Sequence, residues 1–286
     1  MASSVHAETT LEIGDQKGNA HAILDASGGL KGADYQVHWH EFSAAAPLLE
    51  AMRAGSLDAG SVGDAPLTFA ISQGLEAKAI SSFASQGLSI IVPNDSSITK
   101  VSQLRGKRIG VARGSIGHLI LLDQLKKAGI SDNEVKFVFL QPDEASLALS
   151  RGDIDAIGTW EPYVSFAVLH QQDRIIASLP YHTYFVVADD ALQNSRKQAA
   201  LKDMASRINK ARVWGIKHPQ AYGKMYAKVT GLPLDVSLAT IKRNNSTPNP
   251  IDNKLIQSQQ NVIDLYHQAR LIPKRLDARK FFTATP

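Results

Sequence analysis

The sequence predicts an α/β fold of two similar lobes, with two mixed sheets flanked by helices and a double chain crossover that leaves a cleft. Three observations lead there. Strand-like and helix-like runs alternate along the chain, a βαβα series that favours parallel pairing. The series ends at "LSIIVP" (88–93) and restarts at "RIGVA" (108–112), so a second sheet is expected. Finally, "GSLDAGSVGDAP" (55–66) and "GDIDAIGTWEPY" (152–163) repeat one pattern, with Gly55/Gly152, Asp58/Asp155, Ala59/Ala156 and Asp64/Glu161 at one common offset.

Each element has a local reason. "LEIGD", "YQVHWHEF", "DAGSV" and "AKAISSFA" are strand-length runs between helix-like segments "AHAILDASGG", "APLLEAMRAG" and "PLTFAISQG". Glycine closes each of these helices, as a left-handed C-cap requires. In the second series "RIGVA", "VKFVFL" and "RIIASL" read as strands, "GHLILLDQLKKAG" and "DEASLALSRG" as helices. "TYFVVADD" begins the return, and the chain after Lys197 is helical in pattern, broken at Pro219, Pro233 and "NNSTPNP". These runs assign residues 8–90 and 188–286 to lobe I and 91–187 to lobe II, with crossings near 88–93 and 183–189. The C-terminal helices are expected to pack back onto the first lobe.

Composition narrows the function classes. The 286 residues are 44% hydrophobic, enough for a packed core and incompatible with a disordered chain. A net charge of +4 is spread along the chain without basic blocks, so nucleic acid is not indicated. The longest apolar runs are strand-length, far below the roughly 20 residues that span a bilayer. Cysteine is absent, which removes disulfides, thiolate metal sites, cysteine nucleophiles and a lipidated N-terminal cysteine. Val5-His6-Ala7 has the small-x-small look of a signal-peptide end, giving the expectation of an exported protein whose signal is missing. His38 and His40 share a strand face, but no third ligand follows by spacing, and no metal is assigned.

Open α/β sheets bind ligands at the carboxyl ends of their strands, so the two repeated loops are expected to face each other across the cleft. Part of the repeat has a plain structural explanation: G-x-[LI]-D-A is a helix C-cap running into a buried strand. That does not account for Gly63-Asp64-Ala65-Pro66 or Trp160-Glu161-Pro162-Tyr163.

Five segments together resemble the aliphatic-sulfonate-binding proteins of ABC importers, with taurine-, nitrate- and sulfate-ester-binding relatives alongside. They are "LEIGDQKG", "LLEAMRAGSLDAGSVGDAP", "SIIVPNDSSITKVSQLRGKRIGVARGSIGHLILLDQLKKAG", "ALSRGDIDAIGTWEPY" and "NVIDLYHQARLIP". The resemblance implies a two-lobed, type II-like periplasmic binding protein, monomeric and without a cofactor. It would bind a small anionic organosulfur ligand for sulfur acquisition and deliver it to an inner-membrane permease.

A sulfonate is a fixed anion with three acceptor oxygens, so its site needs donors and positive potential. "ARGSIGHLI" is the clearest candidate: a strand ends, Arg113-Gly114-Ser115 turns, and a helix starts with free N–H groups. Arg113 stands where the family usually has Lys. Gln16 and Gly18 after the first strand, Ser43 before the second helix, and Gly63, Asp64 and Ala65 in the first repeated loop are the matching donors from lobe I. Asp64 would repel an anion unless it caps its helix or meets a ligand ammonium. Trp160 and Tyr163, with Phe83, would wall an organic tail, His118 lies one turn into the helix after Ser115, and Glu161 completes the second loop. Lys17 is expected to face solvent, and Arg243 is explained as a helix C-terminal cation. These aromatics favour an organic sulfonate or sulfate ester over nitrate.

The rival class is an enzyme on the same fold. A desulfinase-like reading fails for lack of cysteine, a thiamine-pyrimidine-synthase-like reading would centre on His118, and the chain has no G-x-S-x-G, H-E-x-x-H, G-x-x-x-x-G-K-[ST] or G-x-G-x-x-G motif.

Overall fold

A computed structural model describes residues 9–283, so the expectation for Val5–Ala7 lies outside the described residues. The first series runs β1 (Thr9–Gln16), α1 (Asn19–Ser27), β2 (Tyr35–Phe42), α2 (Ala45–Arg53), β3 (Ala59–Gly63), α3 (Asp64–Ser72) and β4 (Ala77–Val92). The second runs β5 (Arg108–Val111), α4 (Ile116–Lys127), β6 (Lys136–Phe139), α5 (Pro142–Ser150), β7 (Ala156–Thr159), α6 (Tyr163–Phe166) and β8 (Arg174–Ala188). The remainder is α7 (Asp189–Gln193), α8 (Ser195–Lys217), α9 (Pro219–Thr230), α10 (Leu234–Asn244), β9 (Thr247–Asn249) and α11 (Asn253–Gln268).

The sheet is one path, β2-β1-β3-β8-β4-β7-β5-β6, where two separate sheets were expected. Its two ends match the prediction: β1 pairs in parallel with β2 and β3, and β5 in parallel with β6 and β7. Between them the antiparallel strands β4 and β8, 16 and 15 residues long, run through both halves. The crossover is therefore a strand pair, and its irregularity lies earlier than the expected crossings. Ala77–Ser85 pairs with Tyr181–Ala188 and Leu88–Val92 with Arg174–Leu179, the register shifting between Ser85 and Leu88. Gly87 takes the left-handed conformation there (φ 85°), and Pro180, with no N–H to donate, sits opposite. Both residues read as breaks in sequence, and both sit where the ladder is already interrupted.

The repeated G-x-[LI]-D-A segment performs the same structural task twice. Asp58 Oδ2 accepts from the Glu12 amide at 2.9 Å and Asp155 Oδ2 from the Arg108 amide at 2.8 Å, tying the third parallel strand of each half to the first. Gly55 and Gly152 precede them with φ of 75° and 74°, as C-caps should. The loop "NNSTPNP", expected to be irregular, contributes β9, a short strand on β4. Helices α8 to α10 do return to the first half, where α8 residues such as Leu201, Met204 and Ile208 share a core with Leu11, Ile13 and Ile23.

Candidate functional site

A cavity of about 590 Å³ opens between the two halves, at the carboxyl ends of β1, β3, β5 and β7. Helix N-termini converge on it, because each parallel strand feeds a helix that starts at the strand's end. Ala44 to Ala46 of α2, Gly63 before α3, and Arg113 to Ile116 before α4 all line it. The amides of Ala45, Ala46, Ile116 and Gly117 meet no acceptor among the described residues. Such first-turn N–H groups, with the dipoles behind them, make a positive, donor-rich surface.

The turn before α4 is the most rigidly built part. Ser115 Oγ accepts from the His118 amide at 3.2 Å, which leaves its hydroxyl hydrogen free to point into the cavity. Tyr266 of α11 donates to the Ser115 carbonyl at 2.7 Å, bracing the turn from outside. Helix α4 approaches β7 so closely that a Cβ on Gly117 would lie 2.2 Å from the Gly158 carbonyl oxygen. The Arg113 guanidinium packs 5.4 Å from the Phe139 ring centre, and both side chains line the cavity.

Several expected residues belong to this wall: Gln16, Ser43, Gly63, Arg113, Gly114, Ser115, Trp160 and Glu161. Others do not, each for a visible reason. His118 is buried behind the turn, where its Nδ1 accepts from the Gly114 amide at 3.3 Å. Burial and the Arg113 charge push its pKa down to about 4, so the ring is neutral. Asp64 turns away from the cavity: Oδ1 accepts from the Ala65 amide and Oδ2 from the His182 amide, and burial raises its pKa to about 6. It is the first residue of α3, its carboxylate taken by neighbouring amides, and Ala65 is buried beside it. Gly18 donates its amide to Glu41, while Asp15 takes the Ala20 and His21 amides, so the start of α1 is capped by the protein itself. Phe83, expected near the ligand, is a core residue. Tyr163 closes the gap between the halves instead of walling the cavity, its hydroxyl 3.3 Å from the Ser43 carbonyl. His38 and His40 both bond Glu12 of the neighbouring strand, a carboxylate that spacing along the chain did not reveal.

Arg243 lies in the last turn of α10, as expected of a helix C-terminal cation, but it also meets Glu161, a pairing the sequence did not show. Glu161 Oε1 lies 2.8 Å from Arg243 Nε, and Oε2 accepts from the Ser165 amide and Thr240 hydroxyl. Burial lifts the Glu161 carboxyl to about 7 against these partners. The pair joins the second half to α10 across the cavity edge. Lys17, expected in solvent, lines the cavity with its ammonium 5.7 Å from the Tyr163 ring centre. One signal for it was present: Lys17-Gly18 before α1 repeats Arg113-Gly114 before α4, cation then left-handed glycine. Sequence reasoning missed the far wall altogether. Phe69 of α3, Tyr181 and Thr183 of β8, Tyr222 and Tyr226 of α9 and Asn244 of α10 all line the cavity.

Residues 31–216 match the family described as ABC transporter, phosphonate, periplasmic substrate-binding protein. A protein of Escherichia coli K12 named as an aliphatic sulfonates-binding protein is 30% identical over 94% of this chain and 87% of its own. The taurine-binding periplasmic protein of the same strain is 28% identical over 69% of this chain and 65% of its own. Among solved structures, the alkanesulfonate-binding protein SsuA of Xanthomonas axonopodis pv. citri, bound to MOPS, superimposes with a TM-score of 0.87. It is 27% identical, covering 97% of this chain and 99% of that one.

Proposed function

The chain belongs to the periplasmic substrate-binding proteins of ABC transporters, and we propose that its ligand is an organosulfonate or sulfate ester, held by its anionic group at the start of α4. The observation that carries this is the convergence of helix N-termini on one cavity, with first-turn amides of α2 and α4 left unpaired among the described residues and Arg113 and Lys17 in its wall. The Ser115 hydroxyl and the Ile116 and Gly117 amides are the anion's donors. Phe69, Trp160 and Phe139 are the apolar surface for its tail. Three to five such donors, at about 1.5–3 kcal/mol each, reach the roughly −8 kcal/mol of micromolar binding.

The site residues work by binding and orientation, with no chemistry required of them. Glu161, one of the acids lining the cavity, is paired with the charge of Arg243. His118, on which an enzyme reading would rest, faces the protein interior as a neutral acceptor. The lobe boundary lies at the Ser85–Leu88 irregularity of β4 opposite Pro180 of β8, so that Thr183–Val187, paired with β3, belongs to the first lobe and Ser89–Ile91, paired with β7, to the second. The protein works as a monomer outside the cytoplasmic membrane, handing its ligand to a permease. No helix of the described residues is long and apolar enough to cross a membrane itself.

A thermal-shift series with pentanesulfonate, taurine, benzenesulfonate, dodecyl sulfate, sulfate and nitrate at equal ionic strength tests the ligand class. A ligand at 100 times its Kd stabilises by about 2.7 kcal/mol. Organosulfur anions should raise the midpoint and nitrate should not. A shift with nitrate or inorganic sulfate alone would reject the tail-bearing ligand.

A further inference from the structure

Behind the cavity wall lies an arginine that the binding site described so far does not use. Arg212 of α8 is 3% exposed. Its guanidinium is held by neutral groups: Nη1 donates to the Tyr222 hydroxyl at 3.1 Å, Nη2 donates to Asn19 Oδ1, and the Phe83 ring centre lies 5.6 Å from it. Nε is buried without a partner among the described residues. Asp15 is the carboxylate that feels this charge, but its oxygens are occupied by the α1 amides. A buried cation without a bonded counter-ion is costly unless an anion compensates it.

The two groups that hold Arg212 both line the cavity. A guanidinium has donors only, so it fixes the Asn19 amide with Oδ1 inward and the Nδ2 donors outward. The Tyr222 hydroxyl, which accepts from Arg212, donates onward to the Asn19 carbonyl at 3.3 Å and locks the same residue a second time. We propose that Arg212 is a positioning residue for the anionic ligand: it aims the Asn19 amide into the cavity and stands behind it as the buried counter-charge of the bound anion. The proposal rests on the anion-binding reading of this cavity. It also explains why the ligand end of α1 carries a side-chain donor, although the helix's own first amides are taken by Asp15 and Glu41.

The test measures pentanesulfonate affinity by calorimetry and the unfolding midpoint without ligand, for the wild type, Arg212→Met, Arg212→Lys, Asn19→Ala and Asn19→Ala/Arg212→Met. Arg212→Met should weaken binding on the order of 10- to 100-fold. Asn19→Ala should weaken it less, and the double variant no further than Arg212→Met alone, because the two act as one unit. Arg212→Lys should recover part of the affinity by restoring the charge. The unliganded midpoint of Arg212→Met should hold or rise, since the variant removes an uncompensated charge. A purely structural arginine predicts the opposite: a lower midpoint with affinity retained. Wild-type binding with Arg212→Met within threefold of it, or additive effects in the double variant, would overturn the proposal alone. Failure of the wild type to bind any organosulfur anion would remove the functional reading beneath it. If Arg212→Met does not fold, the comparison of Arg212→Lys with Asn19→Ala decides, equal affinity of both with the wild type being the contrary result.

Discussion

Replacing Gly117 by alanine strikes the proposed anion site mainly through its backbone, the added Cβ also lying 3.3 Å from Ser115 Oγ. The new Cβ would sit 2.2 Å from the Gly158 carbonyl oxygen and 2.8 Å from its carbon, both backbone atoms of β7. Ordinary contact begins at 3.4 Å, so α4 has to withdraw by about 1 Å at its first turn. Overpacking of this kind costs about 1–3 kcal/mol of stability. A displacement of that size also takes the Ile116 and Gly117 amides out of hydrogen-bonding range of an anion docked on them. With about 1.5–3 kcal/mol per lost bond to a charged group, affinity should fall roughly 10- to 100-fold or more. Calorimetric titration with the best ligand of the thermal-shift series measures this, with Gly110→Ala as the control. There the added Cβ meets side chains, Ile154 Cδ1 at 2.5 Å first, so stability should fall while affinity holds. Equal affinity of Gly117→Ala and wild type, with the variant folded, would refute the placing of the anion at the start of α4.

The buried carboxyls make stability fall with rising pH. Asp15 and Glu161 sit near 7 and Asp64 near 6 in the folded protein, above their ordinary values, so the folded state holds protons that the unfolded chain has released. Their contribution is fully present near pH 4 and disappears as the pH rises through 6 to 7. For Glu161 alone this amounts to about 3 kcal/mol at about 1.4 kcal/mol per pH unit. Glu161→Gln should flatten the decline in denaturant midpoint between pH 5 and pH 8, and an unchanged slope would rule out Glu161 as a contributor. Asp58→Ala should cost about 1–3 kcal/mol of stability, since it strands a part-buried strand-edge amide, Asp155→Ala about 1 kcal/mol or less, since water reaches the exposed Arg108 amide, and both should leave ligand affinity unchanged. A loss of affinity in folded Asp155→Ala would mean that the repeated segment serves the ligand directly.

The parts of the site that sequence exposed are those whose chemistry is local. A strand, a glycine turn and a helix start within "RIGVARGSIGHLI" locate a donor cluster without knowledge of any other segment. The repeat of Asp58 and Asp155 was equally visible, because its hydrogen bonds run between neighbouring parallel strands. Tyr181, Thr183, Tyr222 and Asn244 were not visible, because they reach the cavity through β8 and the returning helices, and their facing depends on long-range packing. The long β4 and β8 were hidden by Gly87 and Pro180, which end a strand by local rules yet lie opposite each other at one ladder defect. His118 was placed at the right turn but faces inward, and Asp64 turns away from the cavity, one of the two outcomes its charge allowed. A buried acceptor facing backbone amides and a residue facing ligand have the same sequence signature.

The most direct test is a crystal structure of the complex with pentanesulfonate. Sulfonate oxygens are expected within hydrogen-bonding distance of Ser115 Oγ and the Ile116 and Gly117 amides, with the alkyl tail against Phe69 and Trp160. A ligand seated elsewhere in the cavity, with those amides unengaged, would contradict the placing of the anion at the start of α4.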